Sequence, residues 1–179
     1  HEKEFARRGG TFHMAQLWVN LPRQHKMTEP RYQAILASQM GRVELPNGGG
    51  EVRIIAGEHQ GVRGPALTFS NVGMFDVHLR AGGEASFVIP ATDNASLLVI
   101  DGEVEVGGQI ANANDFVVTA NVGERLVVRS KGNAHALLLS GSPINEPIVP
   151  YGPFVMNTRQ EIMQAFADLE HGKFGHLAD

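Results

Sequence analysis

Short apolar runs cut apart by glycine and proline constrain this chain more than any other feature. Its 179 residues include 21 glycines and 9 prolines, and the glycines fall mostly between apolar stretches too short to make a buried helix. A helix needs about 10–12 residues of 3.6-residue pattern, whereas a strand needs only about 4–8 residues of alternation. The punctuation therefore points to an all-β domain. Thr11–Val19 is the first expected strand, with Phe12, Met14, Leu17, Trp18 and Val19 apolar, and Leu21-Pro22 ends it because proline cannot donate to a ladder.

Arg23–Gln39 reads as a polar connection. Pro30 keeps Glu29 extended, and Ala34–Met40 suits a short helix or an irregular turn. Val43–Leu45 and Glu51–Ala56 form an expected hairpin across Pro46–Gly50, and Gly57–Ser70 has no period and reads as a loop. Met74–Arg80 and Ala85–Ile89 follow as strands. Ala95–Ile100 and Glu103–Val106 are joined by Asp101-Gly102, a type I′ hairpin signal. Phe116–Thr119, Arg125–Arg129 and His135–Ser140 complete the set. Turn signals at this close spacing suggest a sandwich or barrel of jelly-roll type.

The C-terminal end changes period. Thr158-Arg159-Gln160-Glu161 is a capping box, and Ile162, Ala165, Phe166 and Leu169 then share one helical face up to a stop at Gly172. Burying Ile162, Phe166 and Leu169 would contribute about 1.5–3 kcal/mol each, so this helix is expected to dock on something.

Charge and composition exclude several classes. The net charge is −4 and the Arg7-Arg8 and Arg23/Lys26 pairs are diluted, so no basic stripe marks a nucleic-acid partner. The absence of cysteine removes disulfides, thiolate chemistry and cysteine zinc sites, and a cytoplasmic setting is expected. No apolar run approaches the roughly 18 residues of a membrane span. The first residue is His1, which suggests a fragment or a processed form.

Two stretches resemble the pirin family. One is Gln16–Pro22 (QLWVNLP) with Lys26-Met27 and Pro30–Gln33 (PRYQ); the other is Glu146-Pro147-Ile148 followed by Tyr151–Thr158 (YGPFVMNT) and the helix beyond. The resemblance implies a bicupin, two β-barrels facing each other in one chain. Residues 1–40 would be a remnant of the first cupin plus a linker, 41–150 the C-terminal cupin barrel, and 151–179 a docking helix and tail. It also implies a metal, iron or another divalent ion, held by three histidines and a glutamate in the first cupin. The last two of those ligands lie just upstream of the segment like Lys3–Gly10, so His1 falls close to a ligand position without matching one.

The barrel itself can be tested against the cupin signature G-x5-H-x-H-x3-E-x6-G. Anchored on Gly83 and Gly102, its ligand positions fall on Ile89, Ala91 and Ala95, none of which can bind a metal. The second cupin signature expects a histidine near Arg125, and none is there. No catalytic or cofactor-binding residue is assigned. The metal candidates are His1, His78 and His135; the last two sit in expected strands and could meet across a sheet. His171 and His176 flank the helix end, where a cation suits the dipole. Glu103 and Glu105 beside Asp101 read as a solvated sheet face, Gly48-Gly49-Gly50 as a hairpin turn, and Trp18 and Phe12 as core.

The resemblance implies three functions. In the first, the parent protein is a metal-dependent dioxygenase of quercetin 2,3-dioxygenase type: the metal orients a flavonol and acidifies its hydroxyl, a glutamate acts as base, and O2 attacks the activated ring. This chain would then supply a cavity wall. In the second, it is a metal-free module binding a regulatory protein, as a transcriptional co-regulator. In the third, it is a structural domain that dimerises through surfaces the first cupin normally covers, with apolar exposure around Leu17-Trp18-Val19 or the C-terminal helix. The expected partners are thus the first cupin, a second copy of this chain, a flavonoid-like molecule or a regulatory protein.

Overall fold

The computed structural model describes residues 3–175. A short helix, α1 (Lys3–Arg8), leads into an extended stretch and a 3-10 turn at Arg23–His25. The strands then follow: β1 (Gly41–Glu44), β2 (Gly50–Ala56), β3 (Glu58–His59), β4 (Val62–Arg63), β5 (Val72–Leu79), β6 (Glu84–Val88) and β7 (Asn94–Asp101). After them come β8 (Glu103–Val106), β9 (Gln109–Asn112), β10 (Phe116–Val118), β11 (Arg125–Arg129) and β12 (Ala134–Gly141). The chain ends in a small hairpin, β13 (Val149–Tyr151) with β14 (Phe154–Met156), and a helix, α2 (Arg159–Glu170).

A six-stranded sheet in the order β1-β2-β5-β12-β7-β10 faces a four-stranded sheet in the order β6-β11-β8-β9. The core lies between them. Alternation assigns each side chain to a face: Phe75, Val77 and Leu79 of β5 point inward, as do Val52 and Ile54 of β2 and Leu97 and Val99 of β7. The facing sheet contributes Ala85, Phe87, Val104, Val106 and Val128. The expected all-β cupin barrel with a C-terminal helix is what forms.

Three local expectations are overturned. Thr11–Val19 forms no strand: it pairs with no ladder among the described residues, and Phe12 and Trp18, expected in the core, are 68% and 71% exposed. Gly57–Ser70 is not all loop, because β3 and β4 pair across Gln60-Gly61, both at positive φ. Asp101-Gly102 closes no hairpin, since β7 and β8 lie in different sheets. Gly102, at φ 77, instead turns the chain from one sheet to the other, where a Cβ would collide with the Asn133 carbonyl and lie 2.9 Å from the Ala134 Cα. A type I′ turn needs positive φ at both central residues, and here Gly107-Gly108 meets that condition, joining β8 to β9.

The helix is capped much as expected. The Thr158 Oγ1 accepts from the Glu161 amide at 3.1 Å, while the Glu161 carboxylate accepts from the amide of Asn157, one residue before the cap. At the other end Gly172 (φ 69) donates to Leu169 and Lys173 donates to Asp168, a Schellman stop. The buried stripe is rotated from the expected one: Ile162, Ala165 and Asp168 are buried, and Leu169 is 48% exposed. Asp168 is tolerated there because Lys173 Nζ and Gln164 Nε2 donate to it at 2.7 and 2.8 Å. Phe166 docks edge-on against Tyr151 and Phe154, fixing the helix on the β13–β14 hairpin.

The corner role of Gly102 predicts an asymmetry. Gly108→Ala, at φ 75 with open space around it, should cost about 1–2 kcal/mol for the backbone alone. Gly102→Ala adds a backbone collision and should cost about 3 kcal/mol or more. Urea unfolding of the two variants measures this directly, and equal losses would remove the sheet-crossing corner from the account.

Candidate functional site

The two candidate histidines in strands do meet. In the antiparallel pairing of β5 with β12, His135 stands directly opposite His78, and both are on the outer face of the six-stranded sheet. Directly opposed residues on one face have Cβ atoms about 4.5–5.5 Å apart, and here the imidazoles stack with centroids 4.1 Å apart and planes 16° apart. Beside them is a residue the sequence reading passed over. Asp76 lies two positions before His78 on the same strand, so alternation puts its carboxylate on the same face. Oδ2 of Asp76 is 3.0 Å from His78 Nε2, and Oδ1 is 2.5 Å from His135 Nε2. The sequence signal for it is Asp76-Val77-His78, a carboxylate and an imidazole two apart on one strand.

A line of charge runs from this group across the sheet. Arg53 on β2, opposite Asp76 in register, places Nη1 3.8 Å from Asp76 Oδ2 and donates through Nε to Glu51 at 2.6 Å. Arg42 on β1 lies 3.6 Å from the same glutamate. His135 also borders a cleft of about 470 Å³ under the extended N-terminal segment, shared with His13, Gln16, Leu98, Ile100 and Asn114. Burial alone would raise the Asp76 pKa, but the hydrogen bonds and charges of His135 and His78 outweigh it and hold the carboxyl below its ordinary 3.8.

The barrel interior is different in kind. Ile89 and Ala95, at two of the three cupin ligand positions, are buried in the core, and Ala91 is exposed. Hydrocarbon side chains offer a metal no donor, so these positions do not fit the family's ligand set. Among the described residues the one imidazole inside is His59, which the sequence reading did not single out. It is buried against Phe87 at 4.7 Å and Phe75 at 6.0 Å, and its Nε2 has no hydrogen-bond partner among the described residues. Burial pushes its pKa below 6.5. The remaining candidate, His1, lies outside the described residues, as does His176. Glu103 and Glu105 face solvent, with Glu105 3.9 Å from Arg129.

Two pH windows follow. A base whose folded pKa is depressed binds its proton more readily when unfolded, so His59 withdraws stability as pH falls below 6.5. A carboxylate with a depressed pKa stabilises the fold above 3.8 and loses that contribution as pH falls through its lower folded value. Melting temperature against pH should therefore show His59→Leu flattening the first decline and Asp76→Asn the second. A parent-like slope in either variant would remove that group as the source.

Comparison with known proteins agrees with this architecture. The family model "Pirin C-terminal cupin domain" matches residues 74–175. The chain is 41% identical over 174 residues to a Pseudomonas aeruginosa protein named "Putative quercetin 2,3-dioxygenase", covering 97% of this chain and 61% of that protein. It is 39% identical over 170 residues to a pirin-like protein of Solanum lycopersicum, covering 93% and 58%. A crystal structure of quercetin 2,3-dioxygenase from Acinetobacter baumannii superposes with a TM-score of 0.93 at 38% identity, covering 99% of this chain and 62% of that one. The chain thus spans 58–62% of the length of these relatives. With a C-terminal cupin barrel, a docked terminal helix and relatives of this closeness, the chain belongs to the pirin family.

Proposed function

We propose that this chain is the C-terminal part of a bicupin whose intact form is a metal-dependent dioxygenase of quercetin 2,3-dioxygenase type. One observation carries the reading: the 38% identity and TM-score of 0.93 to a protein of that name, maintained over 99% of this chain. In this reading residues 1–40 belong with the first cupin, 41–150 form the second barrel, and 151–179 are a docking helix and tail. The metal, iron or another divalent ion, is held by the first cupin. The hydrocarbon at Ile89, Ala91 and Ala95 supports placing that chemistry outside the second barrel. This barrel's own contribution is a rigid wall: its interior is filled, so a flavonol would meet its surface and not its lumen.

A second reading, a module that binds a protein partner or a second copy of this chain, is supported by exposed apolar surface. Trp18 and Val19 are 71% and 54% exposed, and Met163 and Phe174 on the C-terminal side are 74% and 52% exposed. Surface of this kind marks interaction sites. It lies around Leu17-Trp18-Val19 and the helix, where such a module would carry it.

Flavonol turnover separates the readings. The full-length protein, loaded with iron, should consume quercetin together with O2, followed by loss of flavonol absorbance and by oxygen uptake. The 179-residue chain alone should show no turnover under the same conditions. Turnover by the short chain would overturn the division of labour. Absence of turnover in the metal-loaded full-length protein would favour the binding-module reading.

A further inference from the structure

We infer that Asp76, His78 and His135 form a divalent transition-metal site on the outer face of the six-stranded sheet, separate from any site inside a cupin barrel. Zinc bonds of about 2.0–2.2 Å to nitrogen or oxygen put neighbouring ligand atoms of a tetrahedron about 3.3–3.6 Å apart. The donor atoms of this trio all lie within 4.8 Å of one another, and Asp76 Oδ2 to His78 Nε2 is already 3.0 Å. Among the described residues this is the one group of three such donors so disposed.

The fold supplies the arrangement at little cost. Strand pairing fixes the two imidazoles side by side, and alternation fixes the carboxylate beside them, so no loop has to be ordered on binding. The donor types, two imidazoles and one carboxylate, suit zinc, nickel, copper or cobalt over calcium or magnesium. One adjustment is required. A metal binds imidazole in the plane of the ring, and planes stacked 16° apart do not meet at a shared point between them. At least one ring must rotate about χ2, a broad torsion for histidine. The side chains are 33% and 30% exposed, which leaves room for that rotation. Ion binding would also replace the two hydrogen bonds that Asp76 now accepts.

Charge is compatible with a dication. The Asp76 carboxylate provides one negative charge. Arg53, 3.8 Å from Asp76, is offset by Glu51, to which it donates directly. Three protein donors leave further coordination positions, and the cleft bordered by His135 and His13 gives water or an anionic ligand a route to them. The inference stands apart from the dioxygenase reading, because it concerns binding to this chain alone, with no flavonol present.

The test is a titration of the metal-stripped 179-residue chain with zinc or cobalt(II) in a non-coordinating buffer near neutral pH. One ion per chain is expected. His78→Ala and His135→Ala should each weaken binding by about 100-fold or more, since even loss of a supporting residue around a metal costs about 10–100-fold. His1→Ala should leave the affinity unchanged, which excludes that imidazole as a ligand. Where an alanine variant fails to fold, the unmutated chain still decides the matter: cobalt(II) should selectively perturb the ring-proton resonances of His78 and His135. Absence of stoichiometric binding overturns the site. So does binding that survives both histidine variants, or cobalt perturbation confined to other histidines.

Discussion

The pairing of β5 with β12 organises this molecule. These two strands sit at the centre of the six-stranded sheet, paired to each other from Ala134–Leu79 to Gly141–Val72. A two-residue period allows no compromise between the faces: a slip of one residue would send Phe75, Val77 and Leu79 into solvent and draw Asp76 and His78 into the core. Hydrophobic burial therefore fixes the register, and the register in turn fixes the meeting of His78 with His135. The polar group needs no separate device to assemble it, because the apolar face holds it in place. The register with β7 shifts at that same point, between His135 and Ala136, where the partner changes from Asp101 to Val99.

The barrel's framework glycines are held in place by backbone contacts. Gly83 and Gly102 sit at the distance expected of a cupin signature, yet the positions between them carry hydrocarbon. The structure gives each glycine a reason independent of metal. A Cβ on Gly83 would strike the carbonyl of Gly49, and one on Gly102 would strike that of Asn133. Both are places where backbone meets backbone at the joints of the two sheets. These framework glycines thus answer to a packing constraint that is independent of any ligand set. Filling the interior with Phe87, Leu97 and Val99 then makes it a packed core, with the His59 imidazole buried among them.

Much of the fold was legible because its signals are local. The hairpin of β1 and β2, the strands from Val72 onward and the capped helix are each announced within a few residues. The failures share a cause. Asp101-Gly102 carries the local signature of a hairpin, but Gly102 spends its positive φ on a sheet crossing, and nothing local distinguishes the two uses. Leu169 has the right helical spacing for burial, yet Asp168 takes the buried place, held by Lys173 and Gln164. The candidate site was half legible: strand assignment alone suggested that His78 and His135 could meet. Their exact opposition depends on a register between segments about 57–59 residues apart, which no local pattern encodes. Asp76 was legible in principle, since aspartate two before histidine on a strand always shares its face.

Thr11–Val19 shows the opposite limit. Its composition is that of a strand, but a strand is stabilised by a neighbouring backbone, and none pairs with it among the described residues. Propensity in sheets is largely a measure of fit to such surroundings. The exposed Phe12, Met14 and Trp18 retain the pattern of residues selected for burial. In the bicupin reading, the surface they cover is that of the first barrel, and the segment is a strand of that barrel lying across the outside of the second. The cleft beside His135 would then be floored by one cupin and roofed by a strand of the other. A metal bound at Asp76, His78 and His135 would lie at the seam between the two halves, where it could influence how they fit together without taking part in the chemistry of either lumen.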